Sequence, residues 1–337
     1  MEAGTALARG GRFLRERSPS RIPDLVLKWG LRALALAVLA LLAYFFVKLY
    51  QEAHPVFASF GVIDFIFGND WDVSADVFEA LPLVVGTLIT AALALVIGVP
   101  IAVATAIFLT ELCPRVAKGP LTVMVDLLAA VPSVVYGLWG FFFLIPKLRP
   151  IEQWFTDTFS FVPFFGGASV AGPNYFIAGL ILAIMIVPIV SAISREVLST
   201  VPPDHKEAAL ALGATRSEMI RTAMLPYARR GIAGASMLGL GRAIGETIAV
   251  TIVIGNAPVI GHTIFDQGYT LAAVIANEFG EGASDPIHRA ALIGAGLVLF
   301  VLTLIVNGIA RAVVIRSEKE SGGKAVDPVI AAAPGVG

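Results

Sequence analysis

Residues 195–231 read REVLSTVPPDHKEAALALGATRSEMIRTAMLPYARRG and form a polar insert between two very hydrophobic stretches of the chain. Asp204 and Glu207 have the three-residue spacing of a capping box and follow a pair of prolines, which are excluded from helix interiors. Gly213 is the residue type that commonly ends a helix. The pattern predicts a short helix that begins near Asp204 and stops at Gly213.

Thr215 and Glu218 repeat the three-residue spacing just after this glycine. They predict a second short helix over about 216–224, which Pro226 ends because proline lacks an amide hydrogen and restricts the residue before it. The insert is therefore expected to form two short helices that are bent at a glycine. Its exposed alanine and leucine side chains need a partner surface to cover them.

Composition places this hairpin in a membrane protein. The chain is 57% hydrophobic and only 15% charged, with a mean hydropathy of +0.84. A soluble chain needs far more polar surface to cover its core. A membrane span needs about 20 mostly apolar residues, and six segments qualify: 29–49, 81–109, 121–145, 176–193, 232–254 and 290–314.

The expected fold is therefore an all-α integral membrane protein with six transmembrane helices and a cytoplasmic helical hairpin between helices 4 and 5. A cleavable signal peptide is the alternative for the amino terminus, but the first apolar run is too long and no small-residue cleavage site follows it. The predicted parts are a tail (1–28), the first transmembrane helix (29–49), an extracytoplasmic segment (50–80), the transmembrane domain (81–314) and a second tail (315–337).

Positive charges indicate the orientation, because loops rich in lysine and arginine stay in the cytoplasm. With the amino terminus inside, the cytoplasmic face holds 18 of the 24 Lys and Arg residues. The opposite face holds four: Lys48, Lys147, Arg149 and Arg289. Both termini are expected to be cytoplasmic.

Several chemistries have no support in the sequence. The chain has no Gly-x-x-x-x-Gly-Lys-Ser/Thr motif to cradle nucleotide phosphates, and no Ser-His-Asp arrangement. Cys113 is the only cysteine and the four histidines are dispersed, so we expect neither a metal site nor a cofactor. Membrane lipid is the expected surrounding, and no nucleic-acid partner is expected. We predict that the chain is not an enzyme by itself.

Ionisable residues concentrate in the fifth span. Arg242 and Glu246 lie about 15–21 Å from its cytoplasmic end at 1.5 Å rise per residue, which is the middle of the bilayer. Four residues apart, they share one face of a continuous helix and can meet as an ion pair. Each costs about 2.5–3.5 kcal/mol at the centre of a membrane helix, which favours a position facing protein or a solute path. A structural ion pair that pins helix packing is the alternative.

Small and hydroxylated residues surround this pair. Gly239, Gly241 and Gly245 either allow close helix contact or leave room for a solute beside Arg242. A guanidinium, with five donors in a fork, suits an oxyanion better than a cation or a sugar. Hydroxyl candidates for the path are Thr247 in this span and Ser133, which follows a proline in the third span. Thr251 is expected to bond to its own backbone.

The hairpin carries the pattern E-A-A, three residues, Gly, eleven residues, Leu-Pro. It resembles the coupling motif of binding-protein-dependent ABC importer permeases, the MetI-like or type I family. In that family the bend inserts into a groove on a separate ATPase subunit. The resemblance assigns this role to six residues: Glu207, Ala208, Ala209, Gly213, Leu225 and Pro226. Ala223 departs from the family pattern, which usually has an aliphatic residue at that position.

Three further stretches narrow the resemblance: GLGRAIGETIAV in the fifth span, VPSVVYGLWG at 131–140, and the second span from residue 86 to 112. Together they look like the C-type (PstC-like) permease of phosphate ABC importers. The resemblance implies that Arg242 and Glu246 help to move phosphate across the bacterial plasma (inner) membrane. It also implies three partners: a homologous second (PstA-like) permease, a PstB-like ATPase dimer and an extracytoplasmic PstS-like phosphate-binding protein.

The resemblance suggests alternating access, in which ATP-driven closure of the ATPase pair moves the hairpin and rigid helices carry the motion to a gate around Arg242. Three alternatives remain at this point. They are an ABC importer for sulfate, molybdate or phosphonate, a secondary transporter, and a membrane scaffold or sensor that transports nothing. A secondary transporter would typically show inverted repeats and broken helices, and the sequence shows neither.

Overall fold

The computed structural model describes residues 21–162, 164–166, 172–282 and 284–322, and most of these residues are helical. The predicted tails lie largely outside the described residues, which exclude 1–20 and 323–337. The remaining tail residues belong to helices, because the first helix begins at Arg21 and the last one ends at Gly322.

The described residues form thirteen α-helices, three π-helical turns and one antiparallel β-hairpin. The first part contains α1 (Arg21–Phe60), α2 (Val62–Phe67), β1 (Trp71–Asp72), β2 (Val77–Phe78), α3 (Leu81–Ile107), a π turn (Phe108–Leu112) and α4 (Arg115–Leu128). The middle contains α5 (Ser133–Trp139), a π turn (Gly140–Leu144), α6 (Ile145–Thr158) and α7 (Tyr175–Ser199). The last part contains α8 (Pro203–Ala211), α9 (Arg216–Met219), a π turn (Ile220–Met224), α10 (Leu225–Ile244), α11 (Ile248–Val253), α12 (Leu271–Gly282) and α13 (Pro286–Gly322).

The chain divides into two compact units, Met1–Gln51 and Glu52–Gly337. The part of helix α1 that lies in the first unit carries apolar side chains on every face, and they are exposed. A helix that is apolar all round is typical of a membrane span. Arg32 lies over the ring of Trp29, 5.2 Å from its centroid, so the charge within this span has an aromatic contact.

Helices α3 and α7 pack most extensively in the second unit. Their contacts advance in the same direction along both helices, so the two run parallel. Glycines allow the close approach: a Cβ on Gly98 would lie 2.8 Å from Ile186, and one on Gly179 would lie 2.5 Å from the Cβ of Leu93. The hydrophobic effect contributes little to the association of helices in lipid. Small residues that allow close van der Waals packing stabilise the interface instead.

The glycine at this interface gives a first prediction. Gly179→Val should destabilise the protein by about 1–3 kcal/mol, because the new side chain overlaps Leu93 in a closely packed interface. Gly119→Val is the matched control, since nothing lies within 4 Å of a Cβ at that position. Thermal unfolding of the two detergent-solubilised variants measures the difference. Equal unfolding temperatures would contradict the packing argument.

Helix α10 runs antiparallel to α7 and packs against both α7 and α3. A Cβ on Gly231 would lie 2.4 Å from Val197, and one on Gly239 would lie 2.8 Å from Val190. Gly239 is therefore a packing residue, which is the first of the two roles that the sequence leaves open for this glycine.

A small hairpin in the predicted extracytoplasmic segment 50–80 contacts the last two helices. Trp71 donates its indole hydrogen to Glu278 at 3.1 Å, and His288 Nε2 lies 3.1 Å from the same carboxylate oxygen. The His288 ring also stacks on Phe78, with 5.2 Å between ring centroids. These contacts join β1 and β2 to α12 and α13.

Five helices among the described residues are long and apolar enough to cross a membrane. Four of them contain predicted spans: the first, second, fourth and sixth. The helical membrane architecture is confirmed, whereas the count of six spans stays a prediction. The two remaining predicted spans, 121–145 and 232–254, are not single helices.

The third predicted span is broken at residues 129–132. Helix α4 ends at Leu128, and α5 begins at Ser133 and continues as one apolar helix to Thr158. Pro132 is the N-cap of α5 and has extended dihedral angles (φ −58°, ψ 138°). A proline cannot donate to the preceding turn and disfavours helix in the residue before it, so α4 cannot continue through this position. The proline thus ends one helix and begins another.

Candidate functional site

The fifth predicted span is broken where its charged residues lie. Helix α10 ends at Ile244 and α11 begins at Ile248. The amide of Glu246 reaches only the carbonyl of Ala243, at 3.5 Å, so the regular hydrogen-bond ladder stops there. Arg242 occupies the last turn of α10 and is exposed, whereas Glu246 lies in the break and is half-buried.

The ion pair predicted from the four-residue spacing is not formed between Arg242 and Glu246. Their side chains would share one face only on a continuous helix, and the break removes that relation. One carboxylate oxygen of Glu246 instead accepts a long hydrogen bond, 3.5 Å, from the amide of Ala249 in the first turn of α11. The guanidinium of Arg242 therefore stays available to another anion.

Two glycines leave open space next to Arg242. A Cβ on Gly241 would meet nothing within 4 Å, and one on Gly245 would meet only the Gly241 carbonyl oxygen, at 3.5 Å. Because no protein atom fills these positions in the isolated chain, they provide the room for a solute that the sequence suggests.

The hydroxyls of this region point to the backbone. Thr251 donates to the carbonyl of Thr247 at 2.8 Å, as predicted. Thr247 donates to the carbonyl of Gly245 at 3.3 Å, so its hydrogen is also directed inside the break. The Thr247 oxygen keeps acceptor capacity at the position assigned to the path.

Helices α5 and α11 lie side by side. A Cβ on Gly137 would lie 3.0 Å from the Cα of Ala249, and one on Gly140 would lie 3.1 Å from Val253. The two contacts advance in the same direction, so the helices run parallel, and α5 begins almost one turn before α11. Ser133, the first residue of α5, therefore starts level with the break in the fifth span.

Tyr136 belongs to this site, although sequence reasoning did not select it. Its hydroxyl donates to the carbonyl of Leu128 at 2.8 Å, across the break between α4 and α5. The tyrosine is 9% exposed and precedes Gly137, which packs against Ala249 in the first turn of α11. Its place in the stretch VPSVVYGLWG was the signal in the sequence, but only the folding of both broken spans brings this residue close to the break in the fifth span.

The first helix of the hairpin begins earlier than predicted. Pro202 takes the N-cap position of α8, and no side chain caps this helix, so the expected capping box of Asp204 and Glu207 is not formed. The stop at Gly213 is confirmed, because this glycine has a φ of +87° and follows the last helical turn. Only glycine adopts this conformation without strain.

The second capping box is confirmed. Thr215 accepts from the amide of Glu218 at 3.4 Å, and a Glu218 oxygen accepts from the amide of Thr215 at 2.7 Å. The Thr215 hydroxyl also donates to the same Glu218 oxygen, at 2.8 Å. The two hydrogen bonds donated by the Thr215 amide and hydroxyl lower the pKa of the exposed Glu218 carboxyl below its ordinary value.

The expectation that Pro226 ends this helix is wrong. The helix continues through the π turn Ile220–Met224 into α10, so one uninterrupted helix runs from Arg216 to Ile244. Pro226 lies in the first turn of α10, just after the π turn. A π turn changes the local hydrogen-bond register, which is a common way for a helix to accommodate such an irregularity.

The six residues of the hairpin motif divide into two groups. Ala209 and Leu225 pack against an apolar cluster whose buried members include Leu198, Met219 and Met224. The other four are exposed: Glu207, Ala208, Gly213 and Pro226. Leu212 is 90% exposed beside them, which leaves an uncovered apolar side chain at the bend.

A salt bridge ties the hairpin to the second span. Lys206 Nζ lies 2.6 Å from Glu111 Oε1 in the π turn that ends that span, and both side chains are mostly buried.

Groups of three or more His, Cys, Asp or Glu residues able to hold a metal ion are absent from the residues that the structure describes.

Residues 98–319 match the family described as "Binding-protein-dependent transport system inner membrane component". The chain is 41% identical over 308 residues to the phosphate transport system permease protein PstC of Pasteurella multocida, covering 90% of this chain and 95% of that one. It is 46% identical over 257 residues to PstC 2 of Mycobacterium tuberculosis, covering 74% and 79% of the two chains.

A solved structure shares the fold. A chain of a bacterial alginate ABC transporter, crystallised with an alginate pentasaccharide-bound periplasmic protein, superposes with a TM-score of 0.55 at 20% identity. The match covers 88% of this chain and 99% of that chain.

Proposed function

The chain belongs to the family of binding-protein-dependent transport system inner membrane components, and from that membership we propose that it is the permease of an ATP-driven phosphate importer. The observation that carries the proposal is its 41% identity to the phosphate permease of Pasteurella multocida, over nearly the full length of both chains. The protein is a multi-pass protein of the bacterial inner membrane. It is a permease subunit and does not itself hydrolyse ATP.

The chemistry of the broken fifth span supports inorganic phosphate as the solute. Arg242 is exposed, forms no ion pair with Glu246 and has open space beside Gly241 and Gly245. A guanidinium binds oxyanions through paired, charge-assisted hydrogen bonds, which are stronger where water is scarce. We place Arg242, Glu246, Thr247 and Ser133 along the phosphate path.

Permeases of this family work with ATPase subunits and an extracytoplasmic binding protein. For this chain we propose a homologous PstA-like second permease, a PstB-like ATPase dimer and a PstS-like phosphate-binding protein. The exposed bend around Gly213 and Leu212 is the surface that the ATPase covers, since an apolar side chain that is 90% exposed suits a protein contact.

The uninterrupted helix from Arg216 to Ile244 supplies the mechanical link. At 1.5 Å per residue it spans about 40 Å, from the second arm of the hairpin to Arg242. When ATP closes the ATPase pair, the hairpin moves, and this helix carries the motion to the break in the fifth span. The break is where the two ends of the span can change their relative angle, so it forms the gate.

The proposed orientation places both termini and the hairpin in the cytoplasm. It is supported by the 18 of 24 Lys and Arg residues that fall on that side. The β-hairpin and its contacts with Glu278 and His288 then face the extracytoplasmic side.

Reconstitution tests the function. Vesicles that contain this chain, the second permease and the ATPase, with the phosphate-binding protein outside and ATP inside, should accumulate ³²P-labelled phosphate. Vesicles without the ATPase should not. If the chain were the permease of one of the alternative importers, the vesicles would accumulate sulfate, molybdate or phosphonate instead of phosphate. Nucleotide hydrolysis without phosphate accumulation would refute the proposal.

A further inference from the structure

Three polar side chains in or beside the break of the fifth span share one property: the hydrogens of Tyr136, Glu246 and Thr247 are absent or already used. The Tyr136 hydroxyl donates its hydrogen to the Leu128 carbonyl at 2.8 Å, so it has only lone pairs left for a ligand. The Thr247 hydroxyl has likewise donated to the backbone, at 3.3 Å. Both groups are acceptors for whatever binds beside the guanidinium.

Glu246 adds a charged acceptor. One of its oxygens receives the 3.5 Å hydrogen bond from the Ala249 amide, and the other has no hydrogen-bond donor among the described residues. The residue is half-buried in the break, so a solute next to Arg242 can reach it. The site thus combines two donors, the Arg242 guanidinium and the Ser133 hydroxyl, with three acceptors, Tyr136, Glu246 and Thr247.

From this hydrogen-bond inventory we propose that Tyr136 and Glu246 make the site selective for oxyanions that carry a proton. The inference rests on the proposed phosphate transport and names what sets its selectivity. Orthophosphate keeps at least one P–OH group at neutral pH, and this group can donate to the acceptors while the other oxygens accept from Arg242. Sulfate has no hydrogen to donate, so it would face the carboxylate and the tyrosine oxygen unpaired.

The selectivity should be large enough to measure. A site whose polar groups are left unpaired by a ligand discriminates strongly against that ligand, because the buried groups lose their hydrogen bonds to water without replacement. Repulsion between sulfate and the carboxylate acts in the same direction, because sulfate has no hydrogen to place between the two sets of oxygens. We expect sulfate to bind at least about tenfold more weakly than a protonated oxyanion of similar shape.

The test uses the assembled transporter in lipid nanodiscs without the binding protein, which would impose its own selectivity. Bound ³²P-phosphate is measured by equilibrium dialysis at pH 7 and constant ionic strength, and is displaced by arsenate or by sulfate. Arsenate keeps a proton and should displace phosphate well, whereas sulfate should need about tenfold higher concentration. Glu246→Gln places an amide donor in the site and should bring sulfate close to arsenate. Tyr136→Phe should narrow the difference several-fold.

Two further variants keep the test decisive if a substitution impairs assembly. Glu246→Asp retains the carboxylate and should keep sulfate excluded. Thr251→Val removes a hydroxyl that bonds only to its own backbone and should leave the ratio unchanged. An equal sulfate-to-arsenate ratio in the wild type, Glu246→Gln and Tyr136→Phe would overturn the inference. The inference would also be overturned if wild-type nanodiscs bound no phosphate. Accumulation of ³²P-phosphate by wild-type vesicles tests the proposed function separately.

Discussion

Replacing Arg242 by glutamine should lower phosphate uptake about 100-fold while the protein stays in the membrane at normal abundance. Glutamine keeps hydrogen-bonding capacity but removes the charge and the paired donors. Loss of a charge-assisted pair in a water-poor site costs about 3 kcal/mol, which corresponds to roughly a hundredfold at 1.4 kcal/mol per tenfold. The measurement is the initial rate of ³²P-phosphate uptake in cells whose only phosphate permease is this variant.

Arg32→Gln is the matched control, because Arg32 is also an arginine within an apolar helix but lies over Trp29 in the first span. Its uptake should stay near the wild-type rate. Arg242→Lys should retain part of the rate, since lysine keeps the charge but not the planar fork of donors. Uptake by Arg242→Gln at the wild-type rate would rule out a role for this residue in the path.

The geometry distinguishes this role from helix packing. A structural ion pair would hold Arg242 against Glu246, but the two residues do not pair. A packing role for the neighbouring glycines would place atoms within contact distance, as at Gly239, whereas Gly241 and Gly245 are open. An exposed charge beside unfilled space in a membrane protein needs either a solute or a partner chain to compensate its cost.

The sequence predicts the membrane helices well where one continuous apolar run decides the structure. The second, fourth and sixth spans and the first long helix all follow from hydropathy and length, because each needs no information beyond its own residues. The third and fifth spans fail for a different reason. The position of each break depends on which helical turn loses its backbone hydrogen bonds when neighbouring helices pack against it. Hydropathy does not contain that information.

The candidate site shows the same limit. Arg242 is identified from sequence because a charge in an apolar run is conspicuous. The position of its side chain relative to Glu246 cannot be identified from sequence, because the four-residue rule assumes a continuous helix and the helix ends before Gly245. Tyr136 contributes through a hydrogen bond across a second break, to Leu128, so both irregularities must be known before the residue can be placed.

The two capping-box patterns of the hairpin behave differently although their spacing is identical. Thr215 is extended and becomes an N-cap, so its side chain reaches the Glu218 amide. Asp204 lies two residues too late, because Pro202 already has the extended conformation of an N-cap and Pro203 begins the helix. Proline is well suited to the first helical position, and here it displaces the start that the capping pattern predicts.

The bend of the hairpin gives the second large expected effect. Gly213→Val should release the ATPase from the purified complex and abolish coupled ATP turnover. The position has a φ of +87°, where a β-branched residue is strongly disfavoured, at roughly 1–2 kcal/mol for the left-handed conformation alone. Relief of that strain would turn the bend away from its docking geometry. Co-purification of the ATPase with this chain, followed by phosphate-stimulated ATP hydrolysis, measures the result.

Two variants separate backbone strain from bulk at this bend. Asparagine adopts the left-handed conformation more readily than other residues, so Gly213→Asn should keep most of the ATPase bound if conformation is what matters. Gly119→Val adds the same valine at another open position, in α4, where the backbone is helical, and should leave docking intact. If Gly213→Val retains the ATPase and full turnover, the bend is not the docking surface. If Gly213→Asn loses the ATPase as completely as valine does, the contact requires the absence of a side chain, and the partner then packs directly on the Gly213 backbone.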